Sequence, residues 1–143
     1  MLDALANCIL KIEHGVRTTN RPKDRVIGEK FLATLAPILA ATELQSTELK
    51  DLDTFERLVG HSFLVDPGPF GTFYEDWKSF RAQCERLVVS GMTVNERLFA
   101  LGLLDAFDQF VDAKDWEECR SILRRAHIGE DNVDAIVNKH KNG

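Results

Sequence analysis

The sequence predicts an all-α fold, a compact multi-helix bundle of about six to eight short helices with no sheet. Three observations predict it. Apolar residues recur at three- and four-residue spacing almost from end to end, with no apolar–polar alternation of the kind a strand shows. A helix-start signal (Thr or Asp, two residues, then Glu) stands at Asp53–Glu56, Thr72–Glu75, Thr93–Glu96 and Asp115–Glu118. In a capping box the first side chain accepts a bond from an orphan N–H of the first turn, and the Glu reaches back to the cap residue's own N–H. Glycines at 15, 60, 91 and 129 fall where one apolar run stops and the next begins.

Each element follows in order. Leu2, Leu5, Ile9 and Ile12 predict an amphipathic helix over 2–14, ended by Gly15. After a polar loop over 16–23, Asp24 is placed to cap a helix whose apolar face is Ile27, Phe31, Leu35, Ile38 and Leu39. Pro37 lies inside that pattern, lacks an N–H, and is expected to kink or split the helix near Leu35. Leu49, Leu52, Phe55, Leu58 and Val59 form a third face up to Gly60, and the pattern leaves open whether Asp53 caps this helix or lies within it. Residues 60–71 break the periodicity. Pro67-Gly68 suits the centre of a type II turn, and Phe63, Leu64, Val65 and Phe70 are expected to pack down on the helices.

Phe73, Trp77, Phe80, Cys84 and Leu87 form the clearest seam in the chain, closed by Ser90-Gly91. Thr93 opens a helix bearing Leu98, Leu101 and Leu104. The run can continue through Phe107, Phe110 and Val111 or break at Gly102. Asp115 opens Trp116–Ala126, and Val133, Ile136 and Val137 hold a last helix near 131–140. Glu-Arg-Leu recurs at 56–58, 85–87 and 96–98, but the surrounding residues do not match, so a helical-repeat array is not expected.

The 143 residues fit one helical domain, with residues 1–91 and 92–143 as two packed sub-units the alternative. With 44% apolar and 29% charged residues the chain is globular in composition. A net charge of −5 argues against a protein that coats nucleic acid. Cys8, Cys84 and Cys119 are odd in number, widely spaced and set in apolar faces, which points to buried thiols in a reducing compartment. No apolar run approaches the ~20 residues that cross a bilayer, and Asp3 stands where a secretory signal would be basic. The expected location is the cytoplasm, with no cofactor and no metal.

The leading candidate surface is acidic. Asp105, Asp108, Asp112 and Asp115 are spaced +3, +4, +3, which puts them on one stripe if a helix runs through all four. Such a row suits a basic protein surface, while the absence of a glycine-turned loop excludes an EF-hand. An alternative site uses His61 and Asp66 of the 60–71 loop, which together with Ser62 supply the residue types of a catalytic triad without its Gly-x-Ser-x-Gly elbow. A third candidate is the basic group Lys11, Arg17, Arg21, Lys23, Arg25 and Lys30. It gives residues 1–30 a net +2 and leaves −7 for the rest, but no aromatic residue is interleaved with it.

The run Met92-Thr93-Val94-Asn95-Glu96-Arg97-Leu98-Phe99-Ala100-Leu101-Gly102-Leu103 carries a resemblance, with Asp105, Phe107 and Asp108 and then Ile122-Leu123-Arg124-Arg125 after it. It resembles small uncharacterised bacterial proteins that begin Met-Thr-Val-Asn-Glu-Arg-Leu. The likeness covers residues 92–143 and implies a bacterial source and a compact helical C-terminal unit. It carries over no activity and no site residue. The sequence thus points to a non-enzymatic protein that works by binding another protein, of immunity or adaptor type, as a monomer or a homodimer. The rival expectation is a small-ligand binder or enzyme near Gly60–Gly71, and a nucleic-acid regulator ranks third.

Overall fold

A computed structural model describes residues 1–143. The chain is all-α, with eight α-helices, one 3-10 turn and no strand. The helices are α1 (Leu2–Thr18), α2 (Pro22–Glu43), α3 (Leu49–Gly60), α4 (Phe73–Val89), α5 (Val94–Ala100), α6 (Leu104–Asp112), α7 (Trp116–Arg125) and α8 (Glu130–Asn142), and the 3-10 turn is Gly68–Phe70. The chain divides into two compact units, Met1–Glu85 and Arg86–Gly143, and the division falls inside α4. No helix is long and apolar enough to cross a membrane.

The first unit is built on a connected set of aromatic rings. Phe31 of α2 meets Phe55 of α3 and Phe73 of α4, at centroid separations of 5.8 and 5.5 Å. Phe55 meets Trp77 at 4.4 Å, and Trp77 meets Phe80 at 5.5 Å. Leu5, Cys8 and Ile12 of α1 and Leu52 of α3 complete a core from which water is excluded. The apolar spacings of α1 to α4 therefore become a single interior, and burying its side chains supplies most of the driving force for folding.

One glycine in this unit acts differently from the sequence expectation. Gly15 lies inside α1, which runs on to Thr18, so it does not end the helix. Its role is spatial. Phe70, fully buried, packs directly over Gly15 of α1 and Gly28 of α2. A Cβ at Gly28 would lie 2.6 Å from Val16 Cγ2 and 2.8 Å from Phe70 Cε1, and one at Gly15 would overlap the same ring. The two glycines make the recess that the 60–71 segment fills.

Asp24 does not cap α2. Pro22, with its φ preset, starts the helix after Arg21, so Asp24 falls in the first turn. Its carboxylate instead accepts the backbone N–H groups of Val65 and Asp66, at 2.8 and 2.9 Å. Burial by itself would raise its pKa, but those two donors, with Arg21 and Lys23 nearby, outweigh it and hold the carboxyl below the ordinary range. α2 is not split at Pro37 either. It continues to Glu43, because Ala33 and Pro37 both face solvent and the carbonyl left without a donor can be hydrated.

The 60–71 segment departs from the type II turn. Pro67 is right-handed helical, at φ −72° and ψ −14°, and opens the 3-10 turn. Asp66 Oδ1 accepts the Gly68 N–H at 3.1 Å, which selects this geometry, and the positive φ falls on Gly71. Only part of the segment packs down. Phe70 is buried and Leu64 half-buried, whereas Phe63 is 83% exposed and Val65 54% exposed.

The second unit is a succession of short helices around Leu98, Phe107, Cys119, Ile122, Leu123, Val133 and Val137. Gly102, at φ +71°, breaks the Thr93 run and separates α5 from α6. Leu103 N–H then bonds to Leu98 carbonyl at 2.7 Å and Gly102 N–H to Phe99 carbonyl at 3.1 Å, a Schellman motif. The same pair of bonds closes α6 around Lys114 and α7 around His127, both in the left-handed region. In the first unit it closes α2 around Gln45.

Of the four helix-start signals, Thr93–Glu96 forms the full reciprocal box. Asp115 caps α7 by accepting the Glu118 N–H at 3.3 Å. Thr72 precedes α4, but its hydroxyl accepts Lys11 Nζ at 2.9 Å while Glu75 turns forward to Lys78. Asp53 lies inside α3 and pairs with Arg81.

Candidate functional site

The acidic row is shorter than the spacing allows. α6 ends at Asp112, the chain reverses through Ala113 and left-handed Lys114, and Asp115 is occupied as the cap of α7. Asp105, Asp108 and Asp112 remain on one outward face of α6, opposite the buried Phe107. None of the three is ion-paired. Some carboxylates elsewhere are matched, Asp76 with Lys11, Asp53, Glu56 and Glu85 with Arg81, and Glu130 with Arg124, while Glu29, Glu43, Asp51 and Asp131 are exposed and unpaired like those of α6. What distinguishes α6 is that three unpaired carboxylates stand in one row on a single helix face.

His61 and Asp66 occupy separate positions in the loop. His61 follows α3, is exposed, and gives its backbone N–H to Arg57 carbonyl at 3.0 Å. Asp66 is engaged with the Gly68 N–H, and its own N–H is held by Asp24. The space between the loop and helices α1 and α2 is filled by Phe70. An open groove of about 520 Å³ lies beside the loop, lined among others by Leu10, Lys11, His14 and Pro69, and bordered by neither His61 nor Asp66.

The N-terminal basic group is partly spent on structure. Lys11 reaches Asp76 at 2.7 Å and Thr72 at 2.9 Å. Arg25 turns back to the end of α1, bonding Val16 carbonyl at 3.3 Å and Thr19 carbonyl at 3.1 Å. Arg17, Arg21, Lys23 and Lys30 are exposed. Cys8, Cys84 and Cys119 are all buried, and no disulfide links them. Burial, with Asp76 adding to it, pushes the Cys8 thiol up to about 12, and burial pushes Cys84 up to about 11. Such thiols are protonated and unreactive at neutral pH. No group of three or more His, Cys, Asp or Glu side chains is arranged to hold a metal ion.

One concave region lies wholly within the second unit and was not singled out by the sequence. Two open grooves, of about 600 and 510 Å³, share Arg97, His127, Ile128 and Gly129 on their walls. Arg97 of α5 is fixed by two main-chain bonds, Nε to Met92 carbonyl at 3.3 Å and Nη1 to His127 carbonyl at 3.1 Å. Lys139 of α8 lines the first groove, and Arg86 lines the second. Neither they nor Arg97 is paired with a carboxylate. Arg124 is different, since Glu130 takes its Nε at 2.7 Å and its Nη2 at 3.3 Å. Arg86, Arg97 and Lys139 are far apart in sequence and on three helices, so no spacing signal connects them.

Compared with protein-family models, with curated proteins and with solved structures, the chain gives no match.

Proposed function

We propose that this is a non-enzymatic helical protein of the bacterial cytoplasm that binds a basic surface of another protein through α6. The observation that carries the reading is the α6 face itself: three exposed carboxylates, Asp105, Asp108 and Asp112, in one row with no cation of the fold to answer them. A row of unmatched charge adds little to stability and speeds encounter with an oppositely charged partner. Phe99 of α5, 75% exposed, offers a ring of the sort that anchors an interface. This combination suits an adaptor, or an immunity protein that covers the basic cleft of a nuclease.

The test is charge reversal. Affinity capture from the native host is run with the wild-type chain and with D105K/D108K/D112K at low and high salt. The expected result is a protein with a basic surface that the wild type retains, that salt releases, and that the triple variant fails to hold. The variant's melting curve shows that it is folded. Equal retention by both proteins would remove α6 from the account.

A further inference from the structure

We infer that the Arg97 grooves of the second unit form a binding site for a small organic phosphate. The chain as a whole carries −5, yet the two grooves meeting at Arg97 are bordered by Arg86, Arg97 and Lys139, three cations without a carboxylate partner. The only acid on either wall, Glu130, is already bound at both oxygens by Arg124. Like charges gathered around two adjoining grooves are costly until an anion enters, and a phosphate dianion at the shared Arg97 can answer more than one cation where a carboxylate cannot.

The geometry of Arg97 adds to this. Its Nε and Nη1 are committed to main-chain carbonyls, which hold the guanidinium plane in place without neutralising it. The bond to His127 staples α5 to the α7–α8 turn and the bond to Met92 steadies the side chain, but neither accounts for Arg86 on the wall of one adjoining groove and Lys139 on the wall of the other. An arginine held by neutral acceptors offers its charge and its remaining N–H groups pre-oriented, so little entropy is lost on binding. The first turn of α8 carries Glu130 and Asp131, so the anion is held by side-chain cations and not by the helix end. Val94, Ile128 and Ile136 line the first groove and give an apolar floor for the organic part of the ligand. The site is separate from the α6 carboxylates and stands or falls independently of them.

The experiment follows backbone amide shifts in the full chain during titration with phenyl phosphate, inorganic phosphate and benzyl alcohol. Phenyl phosphate is expected to saturate, with shifts concentrated over residues 92–97 and 127–139, and with inorganic phosphate weaker and benzyl alcohol weaker still. R86E and K139E, two exposed residues without partners, should each weaken phenyl phosphate about tenfold, as loss of one charge-assisted contact implies. Their melting temperatures should stay at the wild-type value, which separates binding from folding. The inference is overturned by an absence of saturation at millimolar phenyl phosphate, by shifts scattered over surface lysines, or by undiminished affinity in both variants. Benzyl alcohol binding as well as phenyl phosphate would overturn the anionic part, and inorganic phosphate binding as well would overturn the organic part.

Discussion

Lys114 sits at φ +54°, a conformation in which its Cβ crowds the following carbonyl. Glycine there carries no such penalty, so Lys114→Gly is expected to stabilise the protein by up to about 1 kcal/mol, read as a higher denaturation midpoint with unchanged slope. The opposite holds at Gly15. It has a helical φ that any residue can adopt, but an added methyl meets the ring of the fully buried Phe70. Gly15→Ala should therefore destabilise by roughly 2 kcal/mol, against the usual gain from alanine in a helix. Trimming the ring should relieve the clash, so Gly15→Ala/Phe70→Leu is expected to cost less than the two single changes summed. Additive losses would show that the contact does not limit the site.

At the scale of the element, α3 and α4 are joined by Arg81. Its guanidinium lies 2.7 Å from Asp53, 2.8 Å from Glu56 and 3.1 Å from Glu85, and Glu56 also accepts Trp77 Nε1 at 3.1 Å. Burial would lower the pKa of Arg81, but hydrogen bonds to Asp53 and Glu85 and the charge of Glu56 raise it well above its ordinary value. Arg81→Ala leaves three carboxylates facing one another around Trp77. A loss of roughly 2 kcal/mol is expected, discounted for the partial solvent access of the acids. Arg81→Lys should recover only part, because an ammonium cannot serve three acceptors in a plane. Chemical denaturation of the two variants checks both statements. The capping box of α5 is smaller: Thr93→Ala should cost about 1 kcal/mol by the same measurement, since α5 has only seven residues to hold it.

For the whole molecule, the pH dependence follows from buried groups with opposite titration behaviour. Asp24 has a folded pKa below its unfolded value. Its contribution is present above the unfolded carboxyl pKa and is lost as pH falls through the folded one, so stability declines below about pH 4. The Cys8 and Cys84 thiols have folded pKa values raised from 9.0 to about 12 and about 11. Unfolded chains give up those protons first, so stability is intact below about 9 and falls as pH rises towards 12. Melting temperature against pH should form a plateau with a fall at each end, and Cys8→Ala should flatten the alkaline side. A thiol reagent at pH 8 should find no reactive cysteine in the native chain and three in denaturant. Rapid reaction of any one of them would contradict its burial.

The sequence by itself determined that this chain is all-α, where its helices lie to within a few residues, and which faces are inward. Those properties are local. A seam such as Phe73–Trp77–Phe80–Cys84 depends only on the 3.6-residue period and is buried as its spacing predicts, but Leu87, which the same spacing placed in the seam, is 64% exposed. The tertiary structure decided what the polar and special residues do. Asp24 serves a loop 41 residues away, Gly15 makes room for Phe70, and Thr72 answers Lys11, each drawn from a local role by a partner distant in sequence. A cap is worth about 1 kcal/mol, and a buried pairing or close packing contact can exceed it. The candidate surfaces divide in the same way. The α6 stripe is one helix's periodicity and could be found by spacing, less Asp115. The placing of Arg86 and Lys139 on two grooves that share Arg97 is a product of the tertiary fold, and no order of residues along the chain announces it.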